Sequence, residues 1–463
     1  MIAPANRIEI DAVDFQISCR RFTVRATVTR DKQLPVVDEF VLRLLAVLDR
    51  MPVARMRAWF GFSEAEIETV LVDMARRNYV EFDGDEVLLA PAGRELFRST
   101  GEGGVPQVVE VAPLIDTVWF DLVSRNMVPR SRLANMDYLV RLTEQTSARE
   151  FPEAFARQAF EENFRDYSRR VRRFPDPDMV NLYSISDVEG GPYGFQLLYA
   201  GLTLDTDKMT VRTTFAELGD DVPAFQKLTV AANDAWQTAV PPEPSLTGGA
   251  EFERMTGSGH LAELIRSPND AEKWIEAILA VGRQDSGFAP TLGATYLPAN
   301  LAKFVELMAK TEMGAGKTDL IWLRPGGSTW GRTTKVPEAL QQLRAASRNA
   351  GRPDLHATLA MPRSTHRTIR TNHKRLFERG LLLPQGHLPA NLEVLLIDGV
   401  AAFVNVHIRM GGHAVPVGGI VTDPKRLARI ADRLQPTSAE RWDELWLPAK
   451  VRTAINGGES TGI

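Results

Sequence analysis

At 463 residues the chain is too long for one ordinary hydrophobic core, so two or three domains are expected. Hydrophobic residues make up 44% and charged residues 25%, a balance that excludes a disordered or fibrous protein. The net charge of −4 excludes a global attraction to nucleic acid, so any such binding has to come from local patches. A single cysteine, Cys19, excludes an internal disulfide framework and points to a reducing cytosol. The opening stretch MIAPANRIEIDAVDF lacks the cationic start and apolar core of a signal peptide. No apolar run approaches the ~20 residues that span a bilayer, so a cytoplasmic protein with no membrane partner is expected.

Residues 1–35 read as a β-hairpin or arm. Phe15, Ile17, Cys19, Phe22, Val24, Ala26 and Val28 alternate in a strand pattern, punctuated by Arg20, Arg21, Arg25 and Arg30. The ordinary reading is a solvated basic face; the functional one is a cationic ribbon against a nucleic acid or acidic partner.

Residues 36–100 carry the clearest local signature. EFVLRLLAVLDRM reads as a helix, VARMRAWFG as a short second one, and SEAEIETVLVDMARRNYV as a third. Ser63 caps the third, with Glu66 placed three residues on as in a capping box. YVEFD, a turn at Gly84-Asp85, and EVLLAP form a two-stranded wing, closed by AGRELF. This order resembles a winged helix-turn-helix domain. The resemblance implies a third helix that enters the DNA major groove. That helix carries Glu64, Glu66, Glu68 and Asp73, and only Arg76 and Arg77 at its end suit a phosphate. A winged helix used for protein contacts or self-association is an equal expectation.

Residues 101–245 read as a mixed helical and strand region. LIDTVWFDLVSRNM is apolar at helical spacing, and EFPEAFARQAFEENFRDYSRRVRRF is a helix ending in Arg169, Arg170, Arg172 and Arg173. NLYSISD and GFQLLYAGLTLD are strands with a turn at Gly190-Gly191-Pro192, and KMTVRTTF is a further strand. FAELGDDVPAFQKLTVAANDAWQTAV returns to helix. Pro241, Pro242 and Pro244 with Gly248-Gly249 form the best linker in the chain.

Residues 250–463 begin with helices, AEKWIEAILAVG and LPANLAKFVELMAKT among them. Gly314-Ala315-Gly316-Lys317-Thr318 is tempting as a phosphate loop. Thr311 stands where that loop needs its first glycine, and a strand follows it instead of a helix, so a simple turn is expected. Strands and helices then alternate: DLIWLRP, KVPEALQQLRAASRNAG, LHATLAMP, THRTIRTNHKRLFERG and LLLPQG. NLEVLLIDGVAAFVNVHI closes the pattern as two buried strands joined at Asp398-Gly399. This predicts an α/β layer with a largely parallel sheet.

The order resembles one half of the phospholipase D-like fold, whose motif is His-x-Lys, four residues, Asp, six residues, Gly-Ser-x-Asn. On this chain the spacing falls on Asn391-Leu392-Glu393, Asp398 and Asn405-Val406-His407-Ile408. Asn391 stands where the family's nucleophilic His belongs, and Glu393 replaces the phosphate-binding Lys. Val406 and Ile408 replace the polar residues that follow. Asn cannot attack phosphorus and Glu repels phosphate. None of the seven histidines is followed two residues later by Lys, so no intact copy exists elsewhere. The trailing PKRLARIADRLQ and SAERWDELWLP resemble the closing helices of such domains.

From Arg324 to Arg379 twelve Lys and Arg stand against Glu338, Asp354 and Glu378. Arg363, Arg367, Arg370 and Lys374 are spaced for one helical face, flanked by His366 and His373. Arg332 lies in the Gly-rich turn after the first strand, where α/β sheets offer a ligand crevice. The expected fold class is therefore α+β multidomain: a winged helix, a mixed middle and a degenerate phospholipase D-like sheet. The expected function is a non-catalytic, nucleic-acid-associated scaffold or regulatory subunit of a bacterial multiprotein complex, with antiphage defence one setting. DNA is expected more than RNA, through Arg363, Arg367, Arg370, Lys374, Arg332, Arg76 and Arg77, alongside protein partners or self-association. No catalytic residue, metal or cofactor is expected. The competing reading is a phosphodiesterase or nuclease with a rearranged site built from His356, His407 and Asp398.

Overall fold

The computed structural model describes residues 7–97, 106–128, 135–205, 207–208, 210–216, 222–238, 247–266, 273, 277, 287–311, 319–410, 413–434 and 442–447. They form a mixed α/β protein with several sheets. The expected Pro241–Pro244 linker, residues 314–318 and most of AEKWIEAILAVG lie outside the described residues.

The first strand, β1 (Arg7–Gln33), is a single span of 27 residues and not the expected hairpin. It pairs antiparallel along its second half with β5 (Gln107–Asp121) and along most of its length with β8 (Val180–Asp205). The full sheet runs β6 (Met127–Val128), β5, β1, β8, β9 (Thr210–Phe215), with β7 (Val140–Arg141) alongside β1. Two expectations fail here. The stretch through LIDTVWFD is strand β5, because its apolar residues divide between two faces: Leu114, Val118 and Phe120 are buried while Val109, Val111 and Ile115 are exposed. Gly190-Gly191 does not turn the chain. The strand runs through it with a register shift opposite Arg20–Phe22. A Cβ on Gly190 would lie 2.3 Å from the Arg20 guanidinium, so glycine lets that side chain cross the strand in this position.

Between β1 and β5 the chain inserts a compact unit. Helices α1 (Val36–Leu48), α2 (Val53–Phe60) and α3 (Glu64–Arg76) pack on a three-stranded sheet. The sheet has the order β2 (Arg50–Pro52), β4 (Glu86–Leu89), β3 (Val80–Asp83), and α4 (Pro91–Glu95) follows. Its start signals act as read. Ser63 Oγ accepts from the Glu66 N–H at 3.3 Å, and Glu66 Oε2 accepts from the Ser63 N–H at 2.8 Å. Val41, Leu42, Leu45, Ile67, Leu71 and Met74 fill the small core.

The C-terminal half is built on an eight-stranded sheet. Its order is β10 (Phe288–Leu292), β16 (His413–Val421), β15 (Ala401–Met410), β14 (Leu392–Ile397), β11 (Asp319–Leu323), β12 (His356–Met361), β13 (Arg379–Leu382), β17 (Asp443–Trp446). Only β11, β12 and β13 are mutually parallel, so the sheet is mixed and not largely parallel. Helices α9 (Thr247–Thr256), α10 (Gly259–Arg266) and α13 (Pro424–Leu434) cover one face; α11 (Pro298–Lys310) and α12 (Lys335–Asn349) cover the other. Helix α8 (Val222–Gln237) packs on the first sheet. Gly248-Gly249 is no linker but the first turn of α9, where a Cβ on Gly248 would lie 2.7 Å from the Asn391 amide oxygen. DELW near the C-terminus is strand β17, not a closing helix.

The segment from Arg363 to Glu378 also departs from expectation. It folds as consecutive turns with one short 3-10 stretch at Arg367–Ile369. Thr365, Thr368, Thr371 and Asn372 favour local side-chain hydrogen bonds over helix. Arg370 fixes the turns by donating to the Thr365 and Arg363 carbonyls at 2.9 and 2.8 Å.

The capping box gives a direct test of the inserted unit. Ser63→Ala removes a cap for α3 and is expected to destabilise that unit by about 1 kcal/mol, read as faster amide exchange in α3.

Candidate functional site

Polar groups buried deep in strands mark a site because each must find a partner there. On β14 and β15, side chains at alternate positions share a face, and register pairs Glu393 with Asn405. Asn391, Glu393, Asn405 and His407 therefore line one patch, and all four are buried. Glu393 is wholly buried. One carboxylate oxygen accepts from the indole N–H of Trp322 at 3.1 Å and of Trp330 at 3.0 Å. The other lies 2.8 Å from His407 Nε2. Burial opposes the charge, but the His407 and indole hydrogen bonds outweigh it and hold the carboxyl below its ordinary range.

The same patch extends to β1. Tyr296 donates to Asp11 Oδ1 at 2.6 Å, and the Ala12 N–H reaches the same oxygen at 2.8 Å. Burial dominates and pushes the Asp11 carboxyl up to about 6. Arg324, 1% exposed, donates to the Pro325 and Gly327 carbonyls and stacks over Trp330 at 5.2 Å. Burial, with Arg332 nearby, brings its guanidinium down to about 9. His373 packs against Trp330, and its Nε2 meets the Gly331 carbonyl at 3.0 Å. Burial and the Arg324 charge push it down to about 3, so it is neutral at pH 7.

β1 is clamped onto this patch. Asp14 Oδ2 accepts from Thr333 Oγ1, the Thr334 N–H and Thr334 Oγ1 at 3.0, 2.7 and 2.8 Å. The Asp14 N–H donates to the Arg332 carbonyl at 2.7 Å, and the Ala294 N–H to the Ile10 carbonyl at 2.8 Å. Chemically, the Glu393 carboxylate is closed off. Both Glu393 oxygens are occupied, and no face of the carboxylate meets solvent. Among the described residues no group of three His, Cys, Asp or Glu side chains is placed to hold a metal ion.

Of the seven cations singled out in the sequence, the four expected on one helical face, Arg363, Arg367, Arg370 and Lys374, lie instead on turns. Arg332 is half-buried and structural, donating to the Ser328, Tyr138 and Leu139 carbonyls at 3.1–3.3 Å. Arg363 pairs with Asp443 at 2.6 Å, and Arg370 is used in the turns. Arg77 pairs with Asp73 and, at 3.3 Å, with Asp38. Arg367, Lys374 and Arg76 are exposed. The rearranged catalytic set is not assembled either. Asp398 sits at the β14–β15 turn, at the same end of the strands as His356, whose backbone is in register with Asp319. His407 lies opposite Pro416 at the other end of the hairpin, roughly 20 Å of strand away. The residues the sequence reading missed are Asp11, Tyr296, Arg324 and Trp322; Trp330 stood out only as part of the turn after the first strand. The available signal was polar residues inside apolar strand runs, Asp11 and Asp14 in β1 above all.

No protein-family model matches the chain, and no curated protein matches it. Among solved structures it is similar to TrmBL2, described as an archaeal chromatin protein with a novel mode of DNA binding. The identity is 10% and the TM-score 0.20, over 46% of this chain and 80% of that one. A likeness at that level carries no further conclusion. Among the described residues no helix is long and apolar enough to cross a membrane.

Two measurements probe the patch. Glu393→Ala strands two indole N–H groups and His407 in the core, and about 3–5 kcal/mol of stability should be lost in denaturant unfolding. Asp11 has a folded pKa above its unfolded value, so the folded state holds the extra proton. Stability from this group is fully present below about pH 4 and is lost as pH rises through about 6. Asp11→Asn keeps an acceptor for Tyr296 without the charge. It should stabilise the protein at pH 8 by an amount on the order of 3 kcal/mol, and by much less at pH 4. An equal effect at both pH values would refute the assignment.

Proposed function

We propose that the chain is a non-catalytic, nucleic-acid-associated scaffold or regulatory subunit. In this reading residues 36–100 act as a winged helix-turn-helix unit, and the C-terminal sheet is a phospholipase D-like scaffold without its chemistry. The observation that carries it is the state of Glu393. At the motif position where such enzymes place a phosphate-binding Lys, a buried carboxylate is sealed by Trp322, Trp330 and His407. Asn391, at the nucleophile position, is buried too and donates to the His407 carbonyl at 3.3 Å. A phosphodiester brought there meets no nucleophile and an anion. Three helices against a sheet ordered β2-β4-β3, with the β3–β4 hairpin as wing, support the reading of the inserted unit.

The nucleic-acid contact falls to exposed cations. On α3, Glu64 and Glu68 face solvent and would repel a phosphate wall, while Arg57 and Arg77 are engaged by carboxylates. That leaves Arg76 there and Arg367 and Lys374 in the C-terminal turns. DNA is the favoured ligand and protein partners or self-association accompany it. Membership of a bacterial multiprotein complex, with antiphage defence one setting, is part of the same proposal.

The experiment is binding to double- and single-stranded DNA and to RNA across a salt series, with products inspected for cleavage. Wild type should bind without cleavage. Arg76→Gln/Arg367→Gln/Lys374→Gln should flatten the slope of log K against log salt by roughly two to three. Cleavage by the wild type would overturn the non-catalytic reading, and no binding to any of the three would overturn the nucleic-acid role.

A further inference from the structure

Parallel strands β11, β12 and β13 end together, and residues just after β12 and β13 face residues of α9 and α13. A cleft of about 740 Å³ opens between them, lined by Arg254, Glu251, Arg363, Ser364, Gln385 and Arg433 among others. It lies outside the carboxyl ends of parallel strands, the place where α/β sheets bind ligands. Its lining helices, α9 and α13, cover the sheet face opposite the Glu393 patch. Its size is that of a small-molecule site, within roughly 300–1,000 Å³.

The charge in the cleft is organised. Glu251 is nearly buried and holds two guanidiniums: Arg254 Nη1 at 2.7 Å and Arg433 Nε at 2.8 Å. Arg433 Nη2 also donates to the His387 carbonyl at 3.1 Å. Across the cleft Arg363 is anchored by Asp443 at 2.6 Å. Three guanidiniums thus share the cleft with one lining carboxylate, and each is held by one edge of its planar fork. A guanidinium has five N–H donors. Arg254 and Arg363 each spend one of them on a side-chain acceptor among the described residues. Anchoring has already removed much of the rotamer freedom that binding would otherwise cost. Ser364 and Gln385 add neutral hydrogen-bonding groups, and proline side chains wall the rest.

We infer that this cleft binds the terminal phosphate of a nucleoside phosphate, with Arg254, Arg363 and Arg433 as its clamp. Forked donors around a concave, partly apolar space match a tetrahedral dianion attached to a flat organic group. The group has two sources of the same chemistry: a free nucleotide, or the 5′-phosphorylated end of a nucleic-acid strand. The inference does not depend on the duplex-binding role proposed above.

The test is calorimetric titration of the full chain with AMP, with a 5′-phosphorylated oligonucleotide, and with the same oligonucleotide bearing a 5′-hydroxyl. Wild type is compared with Arg254→Gln, chosen because its side chain is 60% exposed and its loss leaves the core intact. Arg254→Lys serves as the conservative control. Binding of AMP, weakened about tenfold or more by Arg254→Gln and partly restored by Arg254→Lys, supports a free nucleotide. Binding of the phosphorylated strand alone, with the same dependence on Arg254, supports a strand end. Three results overturn the inference: no binding of AMP or the phosphorylated strand, equal binding of both strands without AMP binding, or binding indifferent to Arg254→Gln. Loss here with the salt-steep duplex binding of the wild type intact would refute the cleft and leave the duplex role standing.

Discussion

A carboxylate in the middle of a sheet demands donors, and Glu393 takes them from three separate segments. Trp322 comes from β11, Trp330 from the loop after it, and His407 from β15. Satisfying one buried charge therefore fixes the β11–β14–β15 register and the path of the 324–334 loop together. That loop then dictates much else. Its Gly331 carbonyl meets His373, its Arg332 guanidinium reaches back to residues 138 and 139, and its Thr333 and Thr334 receive Asp14 of β1. A left-handed backbone at Gly331, φ +68°, with His373 Nε2 only 2.9 Å from where a Cβ would sit, makes glycine the residue that fits there.

β1 spans both halves of the molecule, and its two ends work differently. Toward Gln33 it is an ordinary central strand between β5 and β8. Toward Arg7 it also lies against the C-terminal sheet, with Ile10 in one core and Ala12 in the other. Burying Asp11 and Asp14 at that seam is costly for a strand whose neighbours are apolar. Asp14 offsets the cost with three hydrogen bonds from Thr333 and Thr334, whereas Asp11 has Tyr296 and one backbone N–H and keeps a raised pKa. Arg324 is buried in the same region, and among the described residues no carboxylate is in direct contact with it. Carbonyl acceptors and the Trp330 face stand in for one, which is why burial can draw its pKa so far down.

Legibility in the sequence followed how local each structural cause was. The inserted unit could be read because Ser63 and Glu66, Gly61, and the Gly84-Asp85 turn act within a few residues of themselves. The β14–β15 hairpin could be read for the same reason, with Gly399 at φ +70° between two apolar runs. β5 could not, because its pattern depends on which face of the β5–β1–β8 sheet the α6 helix (Pro152–Glu162) covers. Nor could the turns at 363–378, whose basic residues look like a helical stripe until Arg370 is seen holding the backbone. The site was half legible. Glu393 and His407 stood in plain view at alternating strand positions, but their Trp322 and Trp330 partners come from strands and loops 63 to 71 residues away.

The sign of the charge at position 393 decides how the proposed relation to phospholipase D-like sheets is to be understood. A lysine there would point its ammonium at two indole N–H groups and a ring nitrogen, all of them donors when facing an anion. The two indole N–H groups can only donate, so they suit an anion and not a cation. A lysine at 393 would bury its cation against those donors, so that single change would not create a phosphate site. Among the described residues the parallel strands end beside other cations: Arg363 shares the α9–α13 cleft with Arg254 and Arg433, and Arg367 and Lys374 stand exposed in the turns after β12.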